Sequence, residues 1–270
     1  MTRAINKDGP QGPRRGDSAR VIFGIQPVRE ALRVHGTRVT ALLVQADSDN
    51  PKLDALKNLA AAKGVSVTPA SRSELDRRTK GGMHQGALAE APELTLHGLS
   101  ELDARLAAMS VSAPAVITLL DGVMDPMNFG AVVRSAVALG SGWIVFPEHG
   151  AAPLTPATFR ASAGAIEHAV LFRVPSLVPV LQSIHAAGGT TVLLEGSSET
   201  NLDELDLTGL VGLVVGAEDK GARPAVRKAV TVKARLPMSS AIQSLNASVA
   251  SAVAHYEVSR QRKYRANTAN

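Results

Sequence analysis

The order of apolar and polar residues predicts two units that each alternate strands with helices. In the first unit, apolar runs of strand length alternate with stretches whose apolar residues recur at helical spacing. A turn at Gly24 precedes a helix that is expected to begin near Pro27. The successive segments read VIFGIQPVREALRVHG, VTALLVQA, PKLDALKNLAAAKG, VSVTPA and SRSELDRRT. This alternation predicts a compact α/β domain over residues 21–93, in which the exposed glycine-rich turn GGMHQG carries His84.

The second unit begins at Ala115 and is predicted to be a parallel sheet covered by helices on both faces. Its five apolar, β-branched runs are AVITLLDGV, WIVFPE, TTVLLEG, LVGLVVGAE and VKARLPM. A linker over residues 94–114, with one helix from Leu99 to Met109, precedes this unit, and a helix from about Ile242 to Gln261 closes it. The predicted fold class is therefore α/β, with the second domain over residues 115–264.

Composition excludes several kinds of protein. The 270-residue chain contains no cysteine, which rules out disulfide scaffolds, cysteine-ligated metals and thiol nucleophiles and is typical of a reducing cytoplasm. No apolar run approaches the roughly 18 residues of a membrane span. Aromatic residues make up only 3% of the chain, which argues against a module that stacks single-stranded RNA on aromatic side chains. We therefore expect a cytoplasmic protein without a membrane segment.

Charge is distributed unevenly along the chain. Residues 1–20 are rich in Gly, Pro and Arg and are predicted to form a disordered basic tail, and residues 265–270 are predicted to form a second tail. Residues 21–90 carry ten basic and seven acidic side chains, whereas residues 91–258 carry ten basic and fifteen acidic ones. This asymmetry favours attraction of phosphate by the first domain and the tails. The alternative is that the tails only keep the chain in solution.

Familiar enzyme signatures are absent from the sequence. It contains no G-x-G-x-x-G, H-E-x-x-H or G-x-S-x-G, and its seven histidines have no metal-binding spacing, so no metal is expected. The stretch 216–221 resembles a phosphate loop, but Ala222 and Arg223 stand where Lys and Ser/Thr are needed. The common dehydrogenase, nucleotide-hydrolase and serine-hydrolase classes are thereby excluded.

Three segments at the ends of predicted strands carry polar residues that composition does not explain. The first, DGVMDPMNFGAVVRSA, contains Asn128 and places Arg134 in an otherwise apolar helix, where a cation must snorkel, form an ion pair or meet a ligand. The second, LVVGAEDKG, follows a buried strand with Gly216 and Glu218, and the third, LPMSSAIQSLNAS, opens the last helix. Parallel sheets bind ligands at the carboxyl ends of their strands, so the segments predict one site. Helix capping, as by Asp125 before a proline, is the alternative explanation.

In this order, the three segments resemble the motifs of the SpoU (TrmH-type) RNA 2′-O-ribose methyltransferases of the SPOUT superfamily. The family pattern is D-x-V-x-D-P-x-N-x-G-x-x-x-R-[ST]-A, then V-x-G-x-E-x-x-G, then I-P-M and S-L-N-x-S. The first domain, through FGIQPVREAL and ELDRRTKGGMHQG, resembles the RNA-binding domain of RlmB-type members, which methylate a guanosine of 23S rRNA. The resemblance extends from about Val21 to Arg262.

The resemblance implies a trefoil knot in the C-terminal domain, a homodimer, S-adenosylmethionine as cofactor and RNA, most specifically 23S rRNA, as substrate. It implies the catalytic residues Arg134, Asn128, Glu218, Ser244 and Asn246. It also implies the cofactor-binding residues Gly196, Gly216, Leu236, Met238 and Leu245. Charge, rather than the resemblance, points to RNA binding by the residues that lead into the glycine-rich turn, which are Arg72, Arg77, Arg78, Lys80 and His84. Solvation of a helix face is the alternative role for these side chains.

Methylation of a ribose 2′-hydroxyl needs in-line positioning, removal of a proton and stabilisation of a developing negative oxygen. A guanidinium has a pKa above about 12 and stays protonated in proteins. We therefore expect Arg134 to bind the target phosphate and stabilise the forming alkoxide, not to act as a base. The sequence leaves the proton acceptor unidentified.

The chain departs from the family pattern at four positions. Leu236 replaces Ile and Ala247 replaces Val, whereas Asp219 and Ser240 stand where Gly is usual and so affect the expected cofactor loop. None of these changes removes a group with an evident chemical role. Three alternatives stay open: the same chemistry on tRNA, the same chemistry on a 23S adenosine as in antibiotic-resistance enzymes, and RNA binding or ribosome assembly without catalysis.

Overall fold

The computed structural model describes residues 19–109, 115–239 and 244–262, which form two sheets. The smaller sheet and its helices comprise β1 (Ala19–Phe23), α1 (Ile25–His35), β2 (Ala41–Gln45), α2 (Pro51–Ala62), β3 (Val67–Ala70), α3 (Arg72–Thr79) and β4 (Ala87–Pro92). The strand order is β1-β4-β2-β3, in which β4 pairs antiparallel with both neighbours and β2 pairs parallel with β3. This unit has its own apolar core between the sheet and helices α1 and α2.

The larger sheet is parallel at every pairing, as the sequence predicts. Its strand order is β11-β9-β10-β6-β7-β8-β5. The elements in chain order are β5 (Leu96–His97), α4 (Leu99–Ala108), β6 (Ala115–Asp121), α5 (Pro126–Ala138), β7 (Trp143–Pro147), α6 (Pro156–Ala161), β8 (Val170–Val174), α7 (Leu177–Ala186), β9 (Thr190–Leu194), β10 (Leu210–Gly216), α8 (Pro224–Ala229), β11 (Val232–Ala234) and α9 (Ala247–Gln261).

Helices cover both faces of this sheet and so bury the continuous apolar strands. On one face α4 and α7 pack on the sheet through side chains such as Leu102 and Leu181, and on the other face α5 and α6 do so through Phe129 and Phe159. Burial of strands on both faces explains why they read as uninterrupted Val, Ile and Leu runs.

Several elements differ from the sequence expectations. The sequence analysis missed β4, β5 and β8, and the described part of the expected linker is integral to the larger unit because β5 pairs with β8 and Leu102 is buried. The last helix begins at Ala247, and residues 240–243 lie outside the described residues. The expected tails fall largely outside them too, at 1–18 and 263–270. The tail expectation is wrong at Arg20, which belongs to β1 and is buried.

A buried histidine fastens the last helix to the sheet. Burial lowers the pKa of His255 on α9 to about 4, so its imidazole is neutral. Its Nε2 accepts a hydrogen bond from the Thr118 hydroxyl of β6 at 2.8 Å, and its Nδ1 donates to the Ser251 carbonyl at 2.7 Å. Both ring nitrogens are therefore satisfied, and the position of α9 against the central strands is fixed.

A buried ion pair joins the two units. Arg20 of β1 donates from Nη1 to Oε1 of Glu167 at 2.9 Å and from Nη2 to the second carboxylate oxygen, while His35 of α1 lies 2.8 Å from Oε2. The Arg20 and Glu167 side chains are 6% and 0% exposed. Burial by itself would raise the pKa of Glu167, but the hydrogen bonds from His35 and Arg20 outweigh it and hold that pKa below its usual value. The carboxylate therefore stays charged inside the interface.

Cation–π contacts and a glycine bring the same interface close together. The Arg20 guanidinium lies 4.9 Å from the centre of the Phe159 ring, and Arg160 lies 5.2 Å from the centre of the Phe23 ring. At Gly164, where φ is +83°, an added Cβ would lie 2.8 Å from the Glu30 Cβ. The loop after α6 can therefore approach α1 only because a glycine stands there.

We expect Glu167→Ala to lower the free energy of unfolding by about 3–5 kcal/mol, because Arg20 would stay buried without its partner. Urea denaturation of the full chain measures this quantity. The control is Lys57→Ala, which breaks the Asp54–Lys57 pair whose side chains are 61% and 40% exposed and costs less than about 1 kcal/mol. Equal losses for the two variants would contradict a structural role for the buried pair.

Candidate cofactor pocket and catalytic cluster

A cavity of about 210 Å³ opens at the carboxyl ends of β9 and β10. Its walls come from the loops after β9, β10 and β11 and from the first turn of α9. The structure brings all five expected cofactor-binding residues to this one cavity, namely Gly196, Gly216, Leu236, Met238 and Leu245. Ser244, expected to be catalytic, lines it as well. The position agrees with the rule that parallel sheets bind ligands beyond the carboxyl ends of their strands.

The lining of the cavity suits a ligand with an apolar body and a few polar groups. Leu193, Val215 and Leu236 present apolar surface, while the loops contribute backbone groups beside Gly196 and Gly216. This combination fits S-adenosylmethionine, whose adenine needs apolar walls and whose polar groups need backbone partners.

Three charged residues of the lining were not predicted, namely Glu195, Lys220 and Arg227. Glu195 follows β9 directly, and Arg227 of α8 donates to its carboxylate, from Nε at 3.1 Å and from Nη2. The sequence signal for Glu195 is its position as an acidic residue at the end of the TTVLLEG strand, next to Gly196, which was expected to bind the cofactor.

Gly216 has no room for a side chain. An added Cβ would lie 2.5 Å from the Ala222 nitrogen and 2.6 Å from the Gly221 carbonyl carbon. The turn between them is closed on itself, because Ala217 and Gly221 exchange backbone hydrogen bonds of 3.1 and 2.9 Å. The missing Cβ is therefore what allows this turn to fold back against the end of β10.

A buried carboxylate at the end of the neighbouring strand β6 stabilises the same turn. Asp121, at the end of β6, has a fully buried side chain that accepts hydrogen bonds from the Arg223 backbone nitrogen and from Arg223 Nε, each at 2.6 Å. Charge-assisted bonds of this kind are stronger and more directional than neutral ones. Asp121 thus ties the end of the 216–221 turn to the neighbouring strand.

The three sequence motifs meet in a cluster of three side chains. Glu218 Oε1 accepts hydrogen bonds from Nδ2 of Asn128, at 2.6 Å, and from Nδ2 of Asn246. Asn246 Nδ2 also lies 3.1 Å from Asn128 Oδ1, and its own Oδ1 caps α9 by accepting from the Ser248 nitrogen at 2.9 Å. Capping and clustering are therefore not alternatives here, because Asn246 does both.

Arg134 lies apart from this cluster within one chain. It follows Asn128 by six residues on α5, which is about 9 Å along the helix axis and a different face. Its side chain is exposed and lines a second cavity together with Gln26 and Arg29 of α1. Among the described residues, no carboxylate lies within ion-pairing distance of it. Of the three fates expected for this cation, the geometry excludes an ion pair with a described carboxylate and leaves exposure to solvent or to a ligand.

The expected RNA-binding residues divide into two groups. Arg72, Arg77, Arg78 and Lys80 are exposed along α3 and its carboxyl end, with Arg78 engaged by Glu90. The expectation that His84 is exposed is wrong, because it is 7% exposed and its ring nitrogens bond to α3 and within the turn. Its Nε2 lies 3.0 Å from Asp76 Oδ1, and its Nδ1 accepts from the Gly86 nitrogen at 2.9 Å. His84 shapes the turn from inside.

The positions that depart from the family pattern lie around the cavity. Leu236 lines it and is nearly buried, Ala247 packs beneath α5, and Asp219 is exposed on the turn. Ser240 lies outside the described residues. In the part of the chain that the structure describes, no cluster of His, Cys, Asp and Glu could hold a metal ion. No helix there is long and apolar enough to cross a membrane.

Comparison with known proteins shows two family matches that follow the two structural units. The family model described as SpoU rRNA Methylase matches residues 115–256, and the one described as RNA 2′-O ribose methyltransferase substrate binding matches residues 21–96.

Relatives match over most of the chain. An uncharacterised tRNA/rRNA methyltransferase of Mycolicibacterium smegmatis is 36% identical over 251 residues, which cover 93% of this chain and 79% of the relative. The 23S rRNA (guanosine-2′-O-)-methyltransferase RlmB of Pseudomonas syringae pv. tomato is 35% identical over 241 residues, which cover 89% of this chain and 95% of the relative. Among solved structures, the SpoU methyltransferase AviRb of Streptomyces viridochromogenes, in complex with AdoMet, superposes with a TM-score of 0.72 over 91% of each chain at 23% identity, which supports the fold.

We expect Gly216→Ala to weaken binding of S-adenosylmethionine at least about tenfold, because the new Cβ would displace the Gly221–Ala222 backbone that lines the cavity. Calorimetric titration of the folded variant measures the affinity. The matched control is Gly209→Ala, immediately before the same strand, where an added Cβ meets nothing within 4 Å. Unchanged affinity in both variants would mean that the cofactor binds elsewhere.

Proposed function

The chain belongs to the SpoU rRNA methylase family, and we propose that its substrate is a guanosine ribose of 23S rRNA. Its activity is the transfer of a methyl group from S-adenosylmethionine to a ribose 2′-hydroxyl of RNA. The choice of 23S rRNA rests on the RlmB relative, which matches both structural units and not the methylase unit alone. The observation that carries the proposal is the meeting of Asn128, Glu218 and Asn246 at the rim of a cavity that fits the cofactor.

Gly196, Gly216, Leu236, Met238 and Leu245 are the residues proposed to hold the cofactor, in the cavity that they line. When bound there, S-adenosylmethionine supplies an electrophilic methyl group. The chain must then present the 2′-oxygen in line with that group and remove its proton.

Glu218 is the group proposed to accept the proton. Its carboxylate borders the cofactor cavity, and both amide hydrogen bonds from Asn128 and Asn246 fall on Oε1. Those two bonds orient the carboxylate and leave Oε2 without a hydrogen bond from the described residues, so that it can accept a hydroxyl proton. Such a transfer accounts for the proton that Arg134, as a permanent cation, cannot take.

Arg134 is proposed to bind the phosphate next to the target ribose and to stabilise the forming alkoxide. Its exposure and its lack of an acidic partner among the described residues suit a residue reserved for an anionic ligand. Ser244, at the mouth of the cavity, is proposed to help orient the ribose.

Residues 21–93 are proposed to act as the RNA-substrate-binding domain. The match to a substrate-binding family model and the exposed cations Arg72, Arg77 and Lys80 on one helix support this role. The described residues from Leu94 onward belong to the methyltransferase unit by their packing. An rRNA substrate also implies that the protein acts in the cytoplasm.

The trefoil knot expected from the family is proposed for the C-terminal unit. Strand β11 lies beside β9, on the side away from β10, although β10 precedes it in the chain. Described residues on both sides of 240–243 then line the cofactor cavity beside the loops after β9 and β10, namely Leu236, Met238, Ser244, Leu245, Ala247 and Ala250. A chain that leaves and re-enters in this way is what threading requires.

A homodimer is proposed through the exposed apolar side of α9. Val249, Val253 and Tyr256 are 48%, 44% and 60% exposed and share one helix face at spacings of four and three residues. Met124 precedes α5 and Met127 lies in its first turn; both are exposed, and α5 packs against α9. Large apolar side chains gathered on one surface are typical of an interface, and a second copy is the partner that the family implies.

We expect the full-length protein to add one 2′-O-methyl group to a guanosine of 23S rRNA, and Arg134→Ala to lower its rate at least about 100-fold. Cofactor affinity should stay unchanged in this variant, because Arg134 lies outside the cofactor cavity. Mapping of 2′-O-methyl groups in total RNA, with and without the protein, measures the product and its position.

The control for this experiment is Arg105→Ala, which removes an exposed cation from α4 on the other face of the sheet. A methyl group mapped to tRNA or to a 23S adenosine would replace the proposed substrate. Binding of RNA without any methyl transfer would favour the ribosome-assembly alternative, and normal turnover of the Arg134 variant would overturn its role.

We expect Val253→Glu to convert the dimer into monomers, because two buried carboxylates would face each other across a two-fold interface. Light scattering after size-exclusion chromatography measures the mass. Met83→Glu, which alters a side chain 72% exposed on the N-terminal unit, should leave the mass unchanged. A monomeric wild-type protein, or a dimeric Val253→Glu variant, would contradict the proposed interface.

A further inference from the structure

A second cavity, of about 320 Å³, lies between the N-terminal unit and the methyltransferase unit. On one side Gln26, Arg29 and Glu30 of α1 line it, and on the other side stand Arg134 of α5 and the segment 162–168. It is distinct from the cofactor cavity and shares no lining residue with it. Its size is close to the lower end of the range of small-molecule pockets, roughly 300–1,000 Å³.

The charge around this cavity is positive. Arg29 and Arg134 line it, and Arg33 lies one turn further along α1. The one carboxylate of the lining, Glu30, is already shared by Arg29, Arg33 and His168 at 3.2, 3.0 and 3.0 Å. The charge of Glu30 is therefore already offset within α1, whereas Arg134 has no carboxylate within ion-pairing distance among the described residues.

The walls of the cavity are held at a fixed separation. Glu167 bonds to Arg20 of β1 and to His35 of α1, and Gly164 contacts Glu30 of α1, so the segment 162–168 is joined to the N-terminal unit beside the cavity. A rigid, positively charged cleft of this kind can hold an anion at a fixed distance from the reacting group, because neither wall has to move when the anion binds.

We propose that this interdomain cleft binds a backbone phosphate of the substrate RNA through Arg29 together with Arg134, with Gln26 as a neutral donor. The inference rests on the proposed function, in that the RNA is the one whose ribose is methylated. Arg29 thereby becomes a substrate-binding residue contributed by the N-terminal unit to the methyltransferase centre. A phosphate held between the two arginines would set which nucleotide of the strand reaches the cofactor cavity, since phosphate contacts fix register and bases specify sequence.

The experiment compares Arg29→Ala with Arg33→Ala in the full-length protein. Both variants remove one arginine from the same helix and one partner from Glu30, but Arg33 does not line the cleft. Affinity for a 23S rRNA fragment is measured across a series of salt concentrations, beside calorimetry with S-adenosylmethionine and the mass of the protein in solution.

We expect Arg29→Ala to raise the dissociation constant for the rRNA fragment about five- to tenfold at 0.1 M salt. The slope of log affinity against log salt should become shallower by about 0.7–0.9, the value for one lost phosphate contact. Arg33→Ala should change the affinity less than about twofold and leave the slope as it is. Arg29→Lys should keep the wild-type slope, because it keeps the charge. Cofactor affinity should be equal in all variants.

Equal effects of Arg29→Ala and Arg33→Ala on RNA affinity and on the salt slope would overturn the inference. A change of oligomeric state in Arg29→Ala alone would overturn it as well, because it would mean that a second copy of the chain covers the cleft. A wild-type protein that binds no rRNA would overturn it too. The proposed function is tested separately by mapping 2′-O-methyl groups. If RNA binding depends on Arg29 but no methyl group is added, the proposed function is refuted and the proposal that the cleft binds phosphate stands.

Discussion

The buried carboxylate of Asp121 is the constraint on which the geometry of the site depends. A charge withdrawn from water must be paired and hydrogen-bonded, and here the backbone and guanidinium of Arg223 fill that requirement. The chain after β10 must therefore return across the end of β6, which closes the turn that begins at Gly216. That turn presents Glu218 to Asn128 and Asn246, so three separate segments meet because one carboxylate at the end of a central strand needs a partner.

The same physical requirement recurs between the two units. Glu167 is buried at the end of a loop of the methyltransferase unit, and its partners Arg20 and His35 come from the N-terminal unit. Because breaking such a pair costs far more than breaking an exposed one, the N-terminal unit is held in one orientation and is not free on a linker. This interface places α1 beside Arg134, and so the position of a proposed catalytic arginine relative to the RNA-binding unit is a consequence of domain packing.

The sequence predicts most of the fold and brings most of the expected site residues to one region, for identifiable reasons. Strands such as β6 and β10 were found because burial on both faces makes them continuous apolar runs. Strand β4 was missed because ALAEAP is rich in alanine, which has low strand propensity, and β5 because two residues carry no periodic signal. The five residues that the resemblance implies for cofactor binding line one cavity because parallel strands end at one edge of the sheet. The burial of His84 and Arg20 could not be predicted from the sequence, because only the tertiary fold brings them to their partners Asp76 and Glu167.

The distribution of charge separates long-range attraction of RNA from short-range positioning of the target nucleotide. The body over residues 91–258 is acidic, so long-range attraction of RNA has to come from exposed cations such as those on α3. Attraction of that kind is the same at every nucleotide along the RNA and therefore cannot select the one to be methylated. Choice requires short-range contacts held by a rigid frame, which the interdomain cleft offers through Arg29 and Arg134. At the cofactor cavity itself, two neutral amides surround one carboxylate, so the group proposed to take the proton is not neutralised by a nearby cation. Arg134 follows Asn128 by six residues on α5 and so lies on another face of that helix, where it forms no ion pair among the described residues and stays available to a phosphate.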